Sequence, residues 1–432
     1  MSISTRHAVA LLLAGIFLDG CSKSSGNAEI RILNTSIDYS SLDLYLNNGT
    51  TNTREITAAT YGTLTDYLGV GANSYTVEFT RNGVSSSLDS VDEKLSQGTH
   101  KTYVAYGNSG KFGLLEIAED QTQPDSSYTK VQLLDAAPDA GSLDVYLTDP
   151  SVALADSSPT FTGVSGGTIA SAGFVTLASG TYRLRVTAAG SQTDIRLDSV
   201  TGITFSSLEI LSIVVTGTSG GVLVNAAVIP QQSTRSPINT TYARVRAAAG
   251  IPSGSNLTAS LGGTTLLSSA AANTVSQYSL VTAGTQTLDL TLNGAALPAS
   301  SQALTAGEDY TVLVLNGASV SGTTTTLIID DDRLPSTSGY AKVKLVNAMS
   351  ALGDPLTLNV NYTPVASAIA LGSASSSTEV TAGTNTEIDT VDAATSTTLF
   401  TNTTATLTDS GVYDLFMFGT SASTIGALRT NR

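Results

Sequence analysis

Apolar and polar residues alternate over short stretches of this chain, and glycine or polar residues bound each stretch. In the segment 182–187 every second residue is apolar. In the segment 42–46 the leucines fall on one face, while Asp43 and Tyr45 fall on the other. A period of two residues is that of a strand with one buried face. No window of helical length carries an apolar stripe with a period of 3.6 residues. The pattern therefore predicts an all-β chain of short strands.

Three sequence motifs recur four times in the same order. In the first motif, residues 30–46 align without a gap to residues 131–147, and weaker copies lie at 244–261 and 342–360. The second motif, a glycine turn followed by alternation, occupies residues 71–83, 178–190, 282–294 and 381–393. The third motif occupies residues 97–107, 205–217, 305–317 and 409–419. This repetition predicts tandem copies of one domain.

Each copy is expected to form an immunoglobulin-like antiparallel β-sandwich of about seven short strands, because turn residues interrupt the alternation at short intervals. Polar segments that contain proline separate the copies and are typical of short linkers. These segments are residues 119–127, 230–240 and 330–339. The predicted organisation is a signal peptide over 1–20, a tether over 21–28, and sandwich domains over 29–120, 128–230, 241–331 and 339–432.

The N-terminal segment contains an uninterrupted apolar run of eleven residues, from Ala8 to Leu18. A run of this length fits the hydrophobic region of a secretory signal and is too short to span a bilayer. The tetrapeptide LDGC at 18–21 follows and resembles the cleavage site of bacterial lipoproteins. An ordinary secretory signal followed by an unrelated cysteine is the alternative interpretation.

The lipoprotein resemblance implies that Cys21 becomes the first residue and that its thiol receives a diacylglycerol. Its new amine is then acylated, with palmitate as a typical chain. Several acyl chains on one residue hold a protein on a membrane more firmly than a single chain does. Ser22 stands where an inner-membrane retention signal would have Asp. The expected location is therefore the bacterial cell envelope, at the outer membrane, with Cys21 as the anchor.

The second copy resembles the bacterial domain-of-unknown-function family 4397. That family typically starts with a strand, then H-A-S-P-D-A-P, then V-D-V-Y, and this chain has DAAPDAG at 135–141 and LDVY at 143–146. Residues 178–186 and 305–317 resemble the family's G-T-Y and G-x-x-Y-T-V segments. The family's histidine is replaced in every copy, by Asn34, Asp135, Ala249 and Asn347. The resemblance implies immunoglobulin-like sandwiches on a secreted or surface-anchored bacterial protein, with no established activity.

Composition and charge exclude several classes of function. The 432 residues include 35 acidic and 20 basic side chains, for a net charge of −15. Such an acidic excess argues against a nucleic-acid partner, because cations supply most of that affinity. A hydrophobic content of 41% is too high for a disordered acidic tail. One Cys and two His leave no disulfide and too few ligands for a Cys/His metal site.

Candidate catalytic groups are scarce, and we expect no enzyme activity and no cofactor. His100 is the sole candidate base outside the signal peptide, and a residue of a surface turn is the alternative. Paired carboxylates of glycoside chemistry could come from Asp38 with Asp43, or from Asp139 with Asp144. The alternative is that Asp38 and Asp139 accept hydrogen bonds from turn amides, while Asp43 and Asp144 face water.

Two further groups are weak candidates for binding sites. Asp330, Asp331 and Asp332, near Asp309, could offer oxygen ligands to Ca²⁺, although a solvated linker is the competing interpretation. Unit one is also rich in tyrosines, which could form a sugar- or protein-binding surface or belong to the core. They are Tyr45, Tyr61, Tyr67, Tyr103 and Tyr106, of which the first three are the binding candidates.

The sequence as a whole predicts a lipid-anchored envelope protein with a structural, adhesive or display role. The membrane is its expected partner through Cys21, and an extracytoplasmic protein or glycan is the other. The alternative function is a glycan- or protein-binding module of a larger envelope assembly.

Overall fold

The computed structural model describes residues 27–432, and Cys21 with the signal peptide lies outside them. Nearly every element of the described part is a β-strand, and its helices are two single 3-10 turns, Pro138–Ala140 and Leu154–Asp156. The predicted all-β class is confirmed. No helix within residues 27–432 is long and apolar enough to cross a membrane.

The strands fall into four units, numbered 1 to 4 in chain order. Unit 1 contains β1 Ala28–Asn34, β2 Ser41–Asn47, β3 Asn52–Thr60, β4 Leu68–Val70, β5 Asn73–Arg81, β6 Ser87–Leu95, β7 His100–Asn108 and β8 Lys111–Ala118. Unit 2 contains β9 Tyr128–Ala136, β10 Leu143–Thr148, β11 Phe161–Val164, β12 Thr168–Ile169, β13 Val175–Ala178, β14 Gly180–Ala188, β15 Ile195–Asp198, β16 Ile203–Phe205, β17 Ile210–Gly217, β18 Val224–Pro230 and β19 Ser236–Ile238.

The second half of the chain repeats this arrangement. Unit 3 contains β20 Tyr242–Gly250, β21 Asn256–Leu261, β22 Thr264–Ala271, β23 Ser279–Thr282, β24 Gly284–Leu292, β25 Ala295–Ala296, β26 Ser300–Leu304, β27 Asp309–Asn316 and β28 Thr323–Asp330. Unit 4 contains β29 Tyr340–Asn347, β30 Leu356–Val360, β31 Thr363–Ile369, β32 Thr378–Thr381, β33 Gly383–Asp392, β34 Thr398–Leu407, β35 Val412–Thr420 and β36 Ser423–Thr430.

Each unit is a sandwich of two sheets. One sheet contains a single parallel pair between the first strand and a late strand of the unit, and we call it the parallel-pair sheet. The four pairs are β1 with β7, β9 with β17, β20 with β27, and β29 with β35. All pairs in the other sheet are antiparallel, as in the order β3-β2-β5-β6 of unit 1. The chain that connects two parallel strands must return from the end of the first to the start of the second. Here it does so by forming the strands of the antiparallel sheet.

The antiparallel sheets bury one face only. In β21, Leu257, Ala259 and Leu261 are buried, and the residues between them are half-buried. These side chains pack on the parallel-pair sheet of their own unit, for example in the cluster that also contains Val245 and Val312. The two-residue period in the sequence therefore marks the inner face of each sandwich, as expected.

The parallel-pair sheets are buried on both faces. Strand β17 is buried along nearly its whole length, and Leu211, Ile213 and Val215 point into the core of unit 2. Val214, between them, belongs to a different cluster, which includes residues of unit 1. A strand covered on both sides carries a continuous apolar run instead of an alternation.

The outer faces of these sheets join the units in pairs. Leu33 and Val104 of unit 1 pack with Leu134 and Val214 of unit 2. A second cluster contains Ala248 and Leu313 of unit 3 with Val346 and Phe416 of unit 4. Burying one Leu or Val side chain contributes about 1.5–3 kcal/mol. Our expectation of separate domains on short linkers is therefore wrong in this respect, because the sandwiches share apolar interfaces.

Candidate functional site

A group of charged side chains is buried where units 3 and 4 meet, and we call it the buried charge cluster. Strand register brings it together, since Arg246 lies beside Thr311, Lys344 lies beside Asp414, and Asp309 lies opposite Asp330. Its members are Arg244, Arg246, Tyr278, Asp309, Asp330, Asp332, Lys344, Asp414 and Asn431.

Asp330 is the most completely satisfied acid of the cluster. It pairs with Lys344, and it accepts hydrogen bonds from the Tyr278 hydroxyl at 2.8 Å and the Thr311 hydroxyl at 2.6 Å. Burial acts to raise the pKa of Asp330, but Lys344 and Arg246 together hold it below its usual value. Lys344 also lies 3.3 Å from Asp414, so one buried cation serves two carboxylates.

The neighbouring aspartates are also engaged by cations. Asp332 accepts from Arg244 at 2.8 Å and from Asn431 at 2.8 Å. Asp331 pairs with Arg333 at 2.9 Å and with Lys342 at 3.2 Å. Within residues 27–432, no three His, Cys, Asp or Glu side chains form a group that could hold a metal ion.

These contacts correct both interpretations of residues 330–332. The segment is not a solvated linker, because Asp330 and Asp332 are 1% exposed. Their oxygens face Lys and Arg side chains instead of an open cation site. The physical reason is that β28 runs into the interface of units 3 and 4, where β20 and β29 each carry cations.

The cluster gives a direct test of how firmly units 3 and 4 are joined. Lys344→Met removes one of the two cations that Asp330 and Asp414 share and leaves Arg246 as the other. We therefore expect the free energy of unfolding to fall by about 3 kcal/mol, the lower end of the cost of breaking a buried ion pair. Arg54→Gln is the control, because the Arg54 side chain is 46% exposed and its loss should cost at most about 1 kcal/mol. Urea unfolding followed by circular dichroism measures both. Equal effects of the two changes would show that the cluster is not closed in solution.

The recurrent motif acids Asp43 and Asp144 have a structural task. Asp43 accepts from the backbone amides of Ala58 at 2.8 Å and Gly83 at 3.1 Å. Asp144 likewise accepts from Gly163 at 2.7 Å and Gly190 at 2.8 Å. Both carboxylates are buried, so our interpretation that they face water is wrong.

In units 3 and 4 a threonine stands at the position of this aspartate and accepts from the equivalent backbone amide. Ala58 and Gly163 occupy left-handed backbone at a strand irregularity, and so do Ser269 and Ala368. The hydroxyl of Thr258 accepts from the Ser269 amide at 2.9 Å, and that of Thr357 accepts from the Ala368 amide at 3.3 Å. The motif position therefore caps a bulge amide in all four units, which explains why Asp is not required there.

Asp38 and Asp139 bind the junction between units 3 and 4. Asp38 accepts from the Ser109 amide at 2.7 Å and from Arg333 at 3.0 Å. Asp139 accepts from the Leu334 amide at 3.0 Å. The turn-amide interpretation therefore covers only part of their contacts, since segment 330–339 docks on units 1 and 2.

His100 lies on the first residue of β7 and pairs with Asp120, 2.8 Å from Nδ1 to Oδ1. Its ring meets the edge of Tyr67 at a centroid distance of 5.5 Å. Across the described residues 27–432, no hydroxyl group is hydrogen-bonded to His100. Asp120 orients the His100 ring as an acidic residue orients a catalytic base, but the described residues place no nucleophile beside the ring.

Two of the three candidate tyrosines lie in one groove between units 1 and 2. The loop 61–67 of unit 1 faces the segment 231–239 of unit 2 across two adjoining hollows of about 530 and 400 Å³. Tyr61 lines one hollow and is 43% exposed, and Tyr67 lines the other. Both hollows share Arg235. We call this feature the tyrosine groove.

The two tyrosines of the groove are not equivalent. The guanidinium of Arg31 lies over the Tyr67 ring at 4.2 Å, and Arg31 is itself fixed by Glu119 at 2.7 Å. Burial beside Glu119 also raises the pKa of the Tyr67 hydroxyl. Tyr67 is therefore part of the wall, whereas the exposed Tyr61 is the ring available to a ligand.

The remaining tyrosines of unit 1 lie elsewhere. Tyr45 is half-buried on β2, in register with Arg54 and Glu78, and lines neither hollow. Tyr103 is buried in the core against Phe79. Tyr106 packs against the apolar cluster between units 1 and 2. The five tyrosines thus do not form one surface cluster, because they lie on β2, on β7 and in the loop 61–67.

Sequence reasoning missed the cations of the first strand in each unit. Arg31 and Arg246 donate from Nε to hydroxyls of Thr102 and Thr311 on the parallel partner strands. The equivalent Gln132 donates to Ser212. The signal was present as charged or amide residues on either side of an aliphatic one at 29–31, 130–132, 244–246 and 342–344.

The position of the replaced family histidine is a buried polar site. The Asn34 side chain donates to the carbonyls of Tyr39 and Ala59, both at 3.0 Å, and accepts from the Ser36 amide. Asn347 makes the same three kinds of contact in unit 4. Asp135 in unit 2 accepts from the Ala137 amide at 2.8 Å, but its second oxygen has no partner. Burial raises the pKa of Asp135 to about 8.

This difference predicts that Asp135→Asn stabilises the protein at high pH. Because the folded state raises the pKa of Asp135, it holds a proton that the unfolded chain loses above pH ~4. Stability therefore falls as the pH rises from ~4 to about 8, by up to about 1.4 kcal/mol per pH unit. Asn cannot ionise and can supply the donor that Asn34 uses. We expect a higher unfolding midpoint for Asp135→Asn at pH 8, with a smaller difference at pH 5.

Asp144→Asn is the matched control in the same unit. Asp144 accepts hydrogen bonds from two backbone amides, one at each carboxylate oxygen. An asparagine side chain has one oxygen and can accept only one of them. The change should therefore lower the free energy of unfolding by about 1–3 kcal/mol at both pH values. Loss of stability in Asp135→Asn at pH 8 would contradict the assignment.

Comparison with known proteins supports the family resemblance. The model of DUF4397, a domain of unknown function, matches residues 28–146 and 243–355, more than half of the chain. Each match begins at the first strand of a unit and ends within the next unit, at β10 or just before β30. None of the curated protein sequences matches the chain.

Three solved structures are similar at low identity. They are the family 26 carbohydrate-binding module of Eubacterium rectale Amy13K in complex with maltoheptaose (14% identity, covering 45% of this chain and 95% of that one, TM-score 0.16), the Bacillus anthracis TIE protein (10%, 67% and 50%, 0.15), and the pilus adhesin SpaC of Lactobacillus rhamnosus GG (12%, 71% and 42%, 0.13). The chain thus spans half or less of the length of the last two. TM-scores this low support no statement about the function of this chain.

Proposed function

Because the chain belongs to the DUF4397 family, which brings no established activity, we propose from its own geometry that it is a non-catalytic envelope protein with a structural, adhesive or display role. The observation that carries the proposal is the fixed association of the four sandwiches. Adhesion and display need surface loops held in constant relative positions, and shared interfaces provide this better than flexible linkers.

Three kinds of contact support this rigidity. Apolar faces join the units in pairs, and the buried charge cluster closes units 3 and 4. The third contact is the junction segment, through which Arg333 reaches Asp38 and the Leu334 amide reaches Asp139. This segment links the two pairs of units without a free linker.

The membrane anchor remains a proposal from the sequence, since Cys21 lies outside the described residues. Strand β1 begins at Ala28, so only seven residues separate it from a lipid on Cys21. An extended chain spans at most about 3.5 Å per residue. A lipidated Cys21 would therefore hold unit 1 within roughly 25 Å of the membrane surface.

Fractionation of cells tests the anchor. We expect the wild-type chain in the membrane fraction and Cys21→Ser in the soluble fraction, because the serine hydroxyl cannot receive the diacylglycerol. Ser22→Ala is the matched control and should remain with membranes. Membrane retention of Cys21→Ser would refute lipidation as the anchor.

The tyrosine groove favours the second candidate function, a glycan- or protein-binding module. An exposed aromatic ring can stack on the apolar face of a sugar, and neighbouring polar groups can bond its hydroxyls. Tyr61 offers the ring, while Arg235 and Asn239 line the same hollow. The groove also depends on the contact of units 1 and 2, because both units line it.

A glycan array distinguishes the two candidates. If the groove binds a glycan, Tyr61→Ala should weaken binding about tenfold or more, since an aromatic anchor is commonly worth 2 kcal/mol or more. Tyr362→Ala is the control, because Tyr362 is 79% exposed in unit 4 and remote from the groove. Equal binding by wild type and Tyr61→Ala would rule out the groove as the glycan site.

A further inference from the structure

A second cleft, of about 720 Å³, opens where units 2, 3 and 4 meet. Its volume is in the range of sites that bind small molecules. Its wall is mostly polar and includes Thr193, Asp194, Arg196, Arg244, Gln277 and Arg432. We call it the arginine cleft, since each of the three units contributes one arginine.

Arg196 of unit 2 uses few of its donors. Its Nη2 donates to Asp194 at 2.7 Å, and its Nη1 makes a long contact of 3.4 Å with the carbonyl oxygen of Val222. Its Nε is buried without a partner. A guanidinium carries five N–H donors, so Arg196 has unused hydrogen-bonding capacity.

Arg432 has no acidic partner. Its Nη1 donates to the backbone carbonyls of Asp139 and Gly221. Among residues 27–432, no carboxylate oxygen lies within 4.0 Å of its side-chain nitrogens. Burial and the nearby charges of Arg196 and Arg244 lower the pKa of Arg432 to about 10.

The nearby acids engage these guanidinium groups unequally. Asp309 and Asp332 both pair with Arg244, at 3.3 and 2.8 Å. Asp194 pairs with Arg196 through one nitrogen. Arg432 is thus the arginine of the cleft that no carboxylate of residues 27–432 contacts.

We propose that the arginine cleft binds an oxyanion group, carried by an acidic saccharide or present as free phosphate. Guanidinium groups bind carboxylate and phosphate oxygens through paired N–H donors. Thr193 and Gln277 line the same wall and can bond the hydroxyls of an attached sugar. The site is separate from the tyrosine groove and does not depend on the adhesive role.

Isothermal titration of the full chain at low salt tests the site with four probes: glucuronate, glucose 6-phosphate, inorganic phosphate and glucose. We expect the anions to bind and neutral glucose not to bind. Arg196→Gln should weaken anion binding about tenfold or more, because a charge-assisted hydrogen bond is lost. Stronger binding of glucuronate and glucose 6-phosphate than of inorganic phosphate identifies a saccharide ligand. Stronger binding of inorganic phosphate identifies the free ion.

Two controls keep the test sharp. Arg54→Gln removes an exposed arginine of unit 1 and should leave binding unchanged. Arg432→Gln as a single change should also weaken anion binding. Melting curves check that this variant and Arg196→Gln remain folded. The proposal is overturned if no anion binds, if glucose binds equally, or if Arg54→Gln weakens binding as much as Arg196→Gln.

Discussion

The parallel pairing of the first strand of each unit with a late strand constrains the whole molecule. It places two strands at the centre of a sheet whose faces are both apolar, and such a sheet cannot leave one face in water. In unit 2, Val214 points away from the core to which Ile213 belongs, and it needs a second apolar surface. Each sandwich is therefore incomplete alone, and a neighbouring unit completes it.

That pairing explains why charged residues are buried at the interfaces. Arg31, Arg246 and Lys344 lie near the middle of the parallel strands β1, β20 and β29, and packing of the sheets against each other removes these cations from water. Lys344 and Arg246 remain charged because Asp330 and Asp414 accompany them, and Arg31 is matched by Glu119 in unit 1. A buried pair of this kind contributes little net stability compared with apolar packing, but losing one partner is costly. We expect these charges to act mainly against incorrect docking of the sheets.

The sequence predicts the strands well because one-sided burial has a local signature, as in Leu257, Ala259 and Leu261. It offers Tyr45, Tyr61 and Tyr67 alike as binding candidates and does not distinguish the exposed Tyr61 from the other two. It fails where a partner comes from far along the chain. The carboxylate of Asp43 appears free in the sequence, but the left-handed backbone at Ala58 and the turn at Gly83 each give it an amide donor. Residues 330–332 look like a polar linker for the same reason.

Burial of charged residues also changes the meaning of the net charge of −15. Among residues 27–432 the buried acids outnumber the buried bases, so the surface is less acidic than the composition alone indicates, although it keeps an acidic excess. An acidic surface repels anions in general. The arginine cleft is then a local exception, created because three units each bring one arginine to the same place. An anion that overcomes the surrounding repulsion must gain specific hydrogen bonds there, and selectivity at this cleft would follow from the same sheet packing that builds the fold.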